Sequence, residues 1–333
     1  MARENIAFIT GAEGFIGSHL MSFLIEQGWN VIGGYYRPPS DDLSDAMRSR
    51  MVHCDLTNGQ RLAQLLREYR PTHIFHLGAQ SLPTLSWEDP IGTFEANIMG
   101  SIHLLEAVRH LETPPVVVSA CSSAEYGVVP PEAIPVTEEQ PLRPLHPYGI
   151  SKLCLDLLGQ QYWADYRIPT VMLRLFNTTG PGKTSDAPSD FVRQIVRIKL
   201  GLQSPRIEVG NLETRRAFLD VQDTVRGFFL TAMHGTPGGV YNLCASRLYS
   251  MATVLQTAME LAGVEASIQQ VDRLMRPSDE QVIFGSSNKL SRDTGWQPQC
   301  TLDKTLASMI EHWERAFTRG VNAIPAVAVG SER

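Results

Sequence analysis

Ile6-Ala7-Phe8-Ile9-Thr10-Gly11-Ala12-Glu13-Gly14-Phe15-Ile16-Gly17 decides how this chain folds. A short apolar run stops at three glycines spaced three apart. Behind them Phe15, Ile16, Leu20, Phe23 and Leu24 recur at helical spacing up to Gly28. The order is strand, glycine turn, helix. Gly11 permits the tight turn, Gly14 lets the backbone approach a pyrophosphate, and Gly17 lets helix and strand pack closely, with the diphosphate on the positive helix N-terminus. The spacing is G-x-x-G-x-x-G, not the commoner G-x-G-x-x-G. A dinucleotide site is expected here.

Outward from that turn the pattern repeats. A second strand, Asn30–Tyr36, closes on Gly33-Gly34-Tyr35-Tyr36-Arg37, with no acid before Asp41. A carboxylate at this strand end reads the ribose 2′-hydroxyl, whereas an arginine accommodates a 2′-phosphate. NADP(H) is therefore expected over NAD(H), with Arg37 as the phosphate partner; a solvated loop arginine is the alternative. A third strand, Met51–Cys54, ends in Asp55-Leu56, where Asp55 is placed to accept from the adenine amino group or to cap the helix through Arg61–Tyr69. Strand four, His73–Leu77, runs into Gly78-Ala79-Gln80-Ser81, small residues on which a cofactor can lie. A long amphipathic helix follows, about Ile91–Leu111, with Phe94, Ile98, Ile102, Leu105 and Val108 on one face. Strand five, Val116–Ala120, is nearly all apolar, as a parallel strand covered on both faces must be. Five such alternations describe an α/β fold, a doubly wound parallel Rossmann sheet.

Chemistry is expected beyond the carboxyl ends of these strands. Strand five leads into Cys121-Ser122-Ser123-Ala124-Glu125-Tyr126-Gly127, and Pro147-Tyr148-Gly149-Ile150-Ser151-Lys152 follows. Pro147 suits a helix start. Tyr148 and Lys152, spaced i, i+4, then share one helix face. An ammonium beside a phenol favours the phenolate and lowers its pKa, which suits a general acid or base. Ser122 is placed to hydrogen-bond a substrate oxygen and pass a proton toward Tyr148. Taken singly, the pair reads as surface residues and the serine as a turn former; their company selects the chemical reading.

The 333 residues, 43% hydrophobic and 19% charged, are those of a globular protein. A net charge of −6 argues against nucleic-acid and anionic-membrane surfaces. No apolar run approaches the roughly 20 residues of a membrane helix, and no basic, apolar leader precedes the first strand. Cys54, Cys121, Cys154, Cys244 and Cys300 are odd in number and lack a Cys-x-x-Cys, so they read as reduced cysteines of a cytoplasmic protein. His76 and His146 are expected to be structural, and no His/Cys/Asp spacing suggests a metal.

From about Ile6 to Thr318 the chain resembles the extended short-chain dehydrogenase/reductases, the nucleotide-sugar epimerase/dehydratase/reductase superfamily. The motifs carrying the resemblance are Thr10-Gly11-x-x-Gly14-x-x-Gly17, Asp55-Leu56, His76-Leu77-Gly78-Ala79, Ser122-Ser123-x-x-Tyr126-Gly127, Tyr148-x-x-x-Lys152, Arg174-x-Phe176-Asn177 and Gly180-Pro181-Gly182. By this resemblance Tyr148 gives or takes the proton, Lys152 holds the nicotinamide ribose, and Ser122 is the catalytic Ser/Thr. It also sets Gly11, Gly14, Phe15, Ile16, Gly17, Arg37, Asp55, Leu56, Leu77, Ala79 and Phe176 along the cofactor. A homodimer through a four-helix bundle, built from the helix about Ile91–Leu111 and the one bearing Tyr148, is implied as well.

Dehydratases of the family resemble Thr-Asp-Glu-x-Tyr-Gly or Thr-Ser-Glu-x-Tyr-Gly in this stretch, and their acids remove the C5 proton. Ser123 and Ala124 stand in those places here, and Glu125 comes one position late, pointing the other way on a strand end. A reductase or a C4 epimerase remains. Phe75–Ser81 with Ser86-Trp87, Pro141–Pro144, Phe191–Val196, Glu208–Glu213 and Arg276-Pro277-Ser278-Asp279 look most like the reductases of GDP-4-keto-6-deoxy-D-mannose. The implied reaction is hydride transfer from NAD(P)H to the C4 ketone of a nucleotide-diphosphate sugar. A UDP-hexose-type, NAD-dependent 4-epimerase is the alternative, and a non-catalytic cofactor-binding protein a third.

The expected organisation is a dinucleotide-binding domain over 1–176, a smaller α+β substrate lobe over 177–319 with segments returning to the sheet, and a loose tail over 320–333. Ser123, Asn177, Arg193, Arg216 and Arg276 are the expected substrate contacts, the arginines for the diphosphate. Asn177-Thr178-Thr179 departs from the Asn-His-Ile type sequence of the family, and Arg216-Ala217-Phe218 lacks its usual aspartate.

Overall fold

The computed structural model describes residues 5–39, 43–275 and 282–320. They divide into two compact units. One runs to Phe176 and takes back Thr224–Leu243 and Gly285–Gln297; the other holds Asn177–Asp223, Cys244–Phe284 and the residues from Pro298 onward.

In the first unit β1 (Ile6–Thr10), β2 (Asn30–Tyr35), β3 (Met51–His53), β4 (His73–His76), β5 (Val116–Ser122), β6 (Thr170–Leu175) and β7 (Val240–Leu243) form one sheet, ordered β7-β6-β5-β4-β1-β2-β3. Every pairing in it is parallel. The helices α1 (Phe15–Glu26), α2 (Gly59–Tyr69), α3 (Gly100–Arg109) and α4 (Pro147–Tyr166) alternate with the strands. Parallel strands covered on both faces need apolar side chains pointing both ways. Phe8, Ile9, Ile74, Phe75, Val117, Val118, Met172 and Leu173 are accordingly fully buried, each contributing about 1.5–3 kcal/mol by burial. Leu62, Leu65 and Leu66 of α2 and Leu104, Leu105 and Val108 of α3 pack into one cluster with Phe8, Ile74 and Val117. The doubly wound fold read from the sequence is the one present.

Two local differences bear on the site. β5 runs two residues past its expected end, because Cys121 and Ser122 stay in register with Arg174 and Leu175 of β6. The single long helix expected over Ile91–Leu111 is interrupted. A helix Pro90–Phe94 passes into a π-helical turn, Glu95–Met99, before α3 begins. Thr93, Asn97 and Ser101, each four residues from the last, are all buried.

In the second unit the helices Ala187–Lys199, Met251–Ala262 and Leu302–Thr318 close on a core of Phe191, Ile195, Val196, Val254, Leu255, Leu306 and Met309. Arg206–Val209 pairs in parallel with Ser267–Gln270 beside them. Among the described residues no helix is long and apolar enough to cross a membrane. Arg276, Pro277, Ser278, Asp279 and the tail beyond Gly320 lie outside the described residues.

Candidate active site

Strand order reverses at β1 and β4, and open α/β sheets bind ligands outside the carboxyl ends of strands at such a switch point. Gly11 turns there with φ +68°, and a Cβ on it would stand 2.8 Å from Gly78 Cα. A Cβ on Gly17 would lie 2.1 Å from Gly11 O, so both glycines are required by contact. The first turn of α1 has neither a side-chain cap nor an acid, which leaves its orphan amides to an anion. The cradle fits a dinucleotide diphosphate.

Thr10 locks the switch point. Its Oγ1 accepts from Leu77 N at 3.1 Å and Gly78 N at 3.0 Å and lies 2.9 Å from His76 Nδ1. With both lone pairs engaged, the hydroxyl donates to Nδ1. His76 Nε2–H then donates to Ser101 Oγ at 3.0 Å, and Ser101 donates to Asn97 O. This neutral chain fixes the imidazole tautomer. Burial, then the Lys152 charge, holds the His76 pKa down to about 3.

At the adenosine end, Glu13 Oε1 accepts from Tyr36 N at 2.8 Å and Arg37 N at 3.3 Å, while Arg37 itself is exposed. Glu13 lies between the first two glycines of the turn. Its reach across 23 residues is not a local signal. Asp55 does not cap α2: Asn58 accepts from Arg61 N in that role, and Asp55 Oδ1 takes the amide and hydroxyl of Thr57.

Ser122, Tyr148 and Lys152 come together beyond β5. His146 starts α4 by accepting from Gly149 N at 3.0 Å, and Pro147 follows it. The buried Lys152 donates to Ala120 O at 2.8 Å and stands 5.9 Å from the Tyr148 ring centroid. The Ser122 hydroxyl is close enough to the Tyr148 phenol to pull its pKa down. The expected lowering of that phenol does not appear. Burial pushes it up to about 12, against the pull of Ser122, and burial lowers Lys152 as well. Tyr148 therefore holds its proton. Asn97, on the π turn, braces this helix from the side: its side chain donates to Ser151 Oγ and Gln80 O and accepts from Gln80 N. The periodicity of 91–111 gives no hint of Asn97, because its partners Gln80 and Ser151 lie 17 and 54 residues away.

Beneath Ser122 lies an ionic cluster. Ser123–Glu125 is a 3-10 turn, and Glu125 Oε1 accepts from Ser122 N at 2.8 Å. Glu125 is thus turned away from the crevice, into the interior. Arg174 Nε contacts Asp156 at 2.8 Å and Glu125 at 3.3 Å, and Nη1 donates to the Tyr126 hydroxyl and to Glu138 O. All three ionic side chains are at most 4% exposed. One guanidinium serves two carboxylates, so burial and Asp156 together raise the Glu125 pKa well above the usual carboxylate range. Phe176 packs on Tyr126 at 6.2 Å between ring centroids.

The expected sugar contacts fare unevenly. Ser123 sits in the turn after Ser122. Within the second unit Asn177 Nδ2 is a shielded donor with no hydrogen-bond partner. Arg193 is buried, 3.3 Å from Asp190 and 5.8 Å above the Trp313 ring, so its guanidinium is engaged within the unit. Arg216 lies on the two-residue strand Arg215–Arg216, and Arg276 is outside the described residues.

The family model for GDP-mannose 4,6 dehydratase matches residues 8–309. GDP-6-deoxy-D-mannose reductase of Pseudomonas aeruginosa is 31% identical over 310 residues, covering 92% of this chain and 96% of that protein. A structure of RMD from Pseudomonas aeruginosa complexed with NADPH superposes with TM-score 0.82 at 30% identity, over 93% of this chain and 99% of that one. A Thermus thermophilus UDP-glucose 4-epimerase complex with NAD gives 0.82 at 27%, over the same shares. The chain belongs to the GDP-mannose 4,6-dehydratase family of the extended short-chain dehydrogenase/reductases and is an NAD(P)-dependent, nucleotide-sugar-modifying enzyme.

Proposed function

We propose that the protein is a nucleotide-sugar 4-ketoreductase acting on an NDP-4-keto-6-deoxyhexose, with GDP-4-keto-6-deoxy-D-mannose reduced to GDP-D-rhamnose as the leading case. One observation carries the reading: the buried Tyr148 phenol holds its proton with Ser122 beside it, and Ser123 and Ala124 stand where a dehydratase has its acids. A proton donor without a carbon base suits reduction of a ketone rather than elimination.

A bound nicotinamide dinucleotide supplies the hydride. Ser122 orients the C4 carbonyl oxygen, and Tyr148 gives that oxygen its proton. Lys152, anchored on Ala120 O, keeps a positive charge beneath the phenol and favours the phenolate left behind. Glu125, through the Ser122 amide, holds the serine at the strand end. Of the two dinucleotides, Arg37 and the NADPH of the Pseudomonas aeruginosa RMD structure favour NADP(H), while the Glu13 carboxylate favours NAD(H). The second unit is the proposed sugar-nucleotide lobe, with Asn177 offering its unpaired amide. Two copies associating through α4 and the helices before it would cover Trp87, Ile91, Ile150 and Leu157, which are exposed.

Reduced dinucleotide and GDP-4-keto-6-deoxymannose should together lose absorbance at the nicotinamide band. Tyr148→Phe should lower kcat about 10²–10⁴-fold with the fold intact. An epimerase would instead turn over UDP-hexose with no added cofactor, and a binding protein would be indifferent to Tyr148→Phe. Ser122 without a C5 base suits the epimerase equally, so this assay decides.

A further inference from the structure

We propose that Glu13 is the residue that reads the adenosine ribose, selecting NAD(H) over NADP(H) from within the glycine turn. The inference rests on the dinucleotide reading of the site and adds the choice of cofactor to it.

In doubly wound folds the 2′-position of that ribose is read at the end of the second strand, by a carboxylate for the hydroxyl or an arginine for the phosphate. β2 ends at Tyr35 and carries no acid there. The next two amides, of Tyr36 and Arg37, both donate to Glu13 Oε1. A carboxylate is thereby fastened at the strand end by a residue 23 positions earlier. Its second oxygen, Oε2, is shielded from water and accepts from nothing. A shielded carboxylate oxygen lacking a donor is costly, and a turn of the half-exposed Glu13 side chain that brings Oε2 to the surface lets a ribose hydroxyl satisfy it. A 2′-phosphate brings negative charge and acceptor oxygens to the same place. The local field agrees. After burial, the charges of Asp55 and then Glu13 push the Cys54 thiol up to about 12, with Arg61 opposing them. Arg37, the expected phosphate partner, has its own amide held by this carboxylate and its side chain exposed at the rim. The inference runs against the NADP(H) expectation drawn from Arg37, because that expectation searched β2 and its loop for an acid and not the turn beside them.

Titrating the purified protein with NADH and with NADPH, followed by nicotinamide fluorescence, tests this without any sugar substrate. NADH should bind at least about tenfold more tightly, about 1.4 kcal/mol. Glu13→Gln keeps an oxygen for the Tyr36 and Arg37 amides and removes the charge, so it should tighten NADPH about tenfold and leave the melting temperature in place. Added salt should narrow the wild-type ratio and leave that of Glu13→Gln unchanged. NADPH binding as tightly as NADH to the wild type, or a ratio unmoved by Glu13→Gln, overturns the assignment while the reductase reading stands. Binding of neither dinucleotide overturns both.

Discussion

The ends of β4 and β5 bury polar groups beneath the same crevice in opposite ways. Behind β4 the chain from Thr10 through His76 and Ser101 to Asn97 is neutral, and every proton in it has one direction. Behind β5, Glu125 and Asp156 divide a single guanidinium between them. A neutral chain fixes geometry at little electrostatic cost. An ionic cluster fixes it more strongly, but each charge depends on its partner remaining. The difference tracks the task. β4 supports the backbone that packs on the glycine turn, whereas β5 holds one hydroxyl, that of Ser122, beside Tyr148.

Three variants press on that contrast, in order of expected size. Arg174→Met strands two buried carboxylates and should cost about 3–5 kcal/mol, read from the urea midpoint. Thr10→Val takes a partner from the Gly78 amide and from an imidazole nitrogen, while Leu77 N keeps Thr10 O at 3.3 Å, and should cost about 1–3 kcal/mol. Equal losses from these two would break the comparison. The third effect is the smallest at neutral pH, because it lies wholly on the acid limb. The His76 pKa is held down to about 3 from 6.5. Between those values the unfolded chain binds a proton that the folded chain refuses, so stability falls as pH drops through the window and is unaffected above it. His76→Gln should flatten this acid limb by up to about 1.4 kcal/mol per pH unit. An unchanged limb would mean that the carboxylates behind β5 dominate it.

What the sequence made legible follows from the range of each interaction. The first strand, the glycine turn and α1 are local, and their periodicity carries them. Tyr148 and Lys152 are one helical turn apart, so their alliance is written in spacing. Glu13, Asn97 and the Glu125–Asp156–Arg174 cluster depend on partners brought by the sheet from 17 to 54 residues away and leave no local pattern. Arg193 shows the converse. Its place on an amphipathic helix is readable, but the Trp313 ring beside its guanidinium is 120 positions on and is not. The Tyr148 phenol teaches the same through energetics: proximity to an ammonium is legible, and the desolvation that outweighs it is not.

The wide turn at Glu95–Met99 acts as a one-residue shim in the wall beside α4. Removing one residue there would let the segment wind as an ordinary α-helix, leaving the flanking turns in phase and abolishing the wide turn that carries Asn97. Relatives differing by one insertion or deletion at this point would keep the architecture while losing the alignment of Asn97 with Gln80 and Ser151.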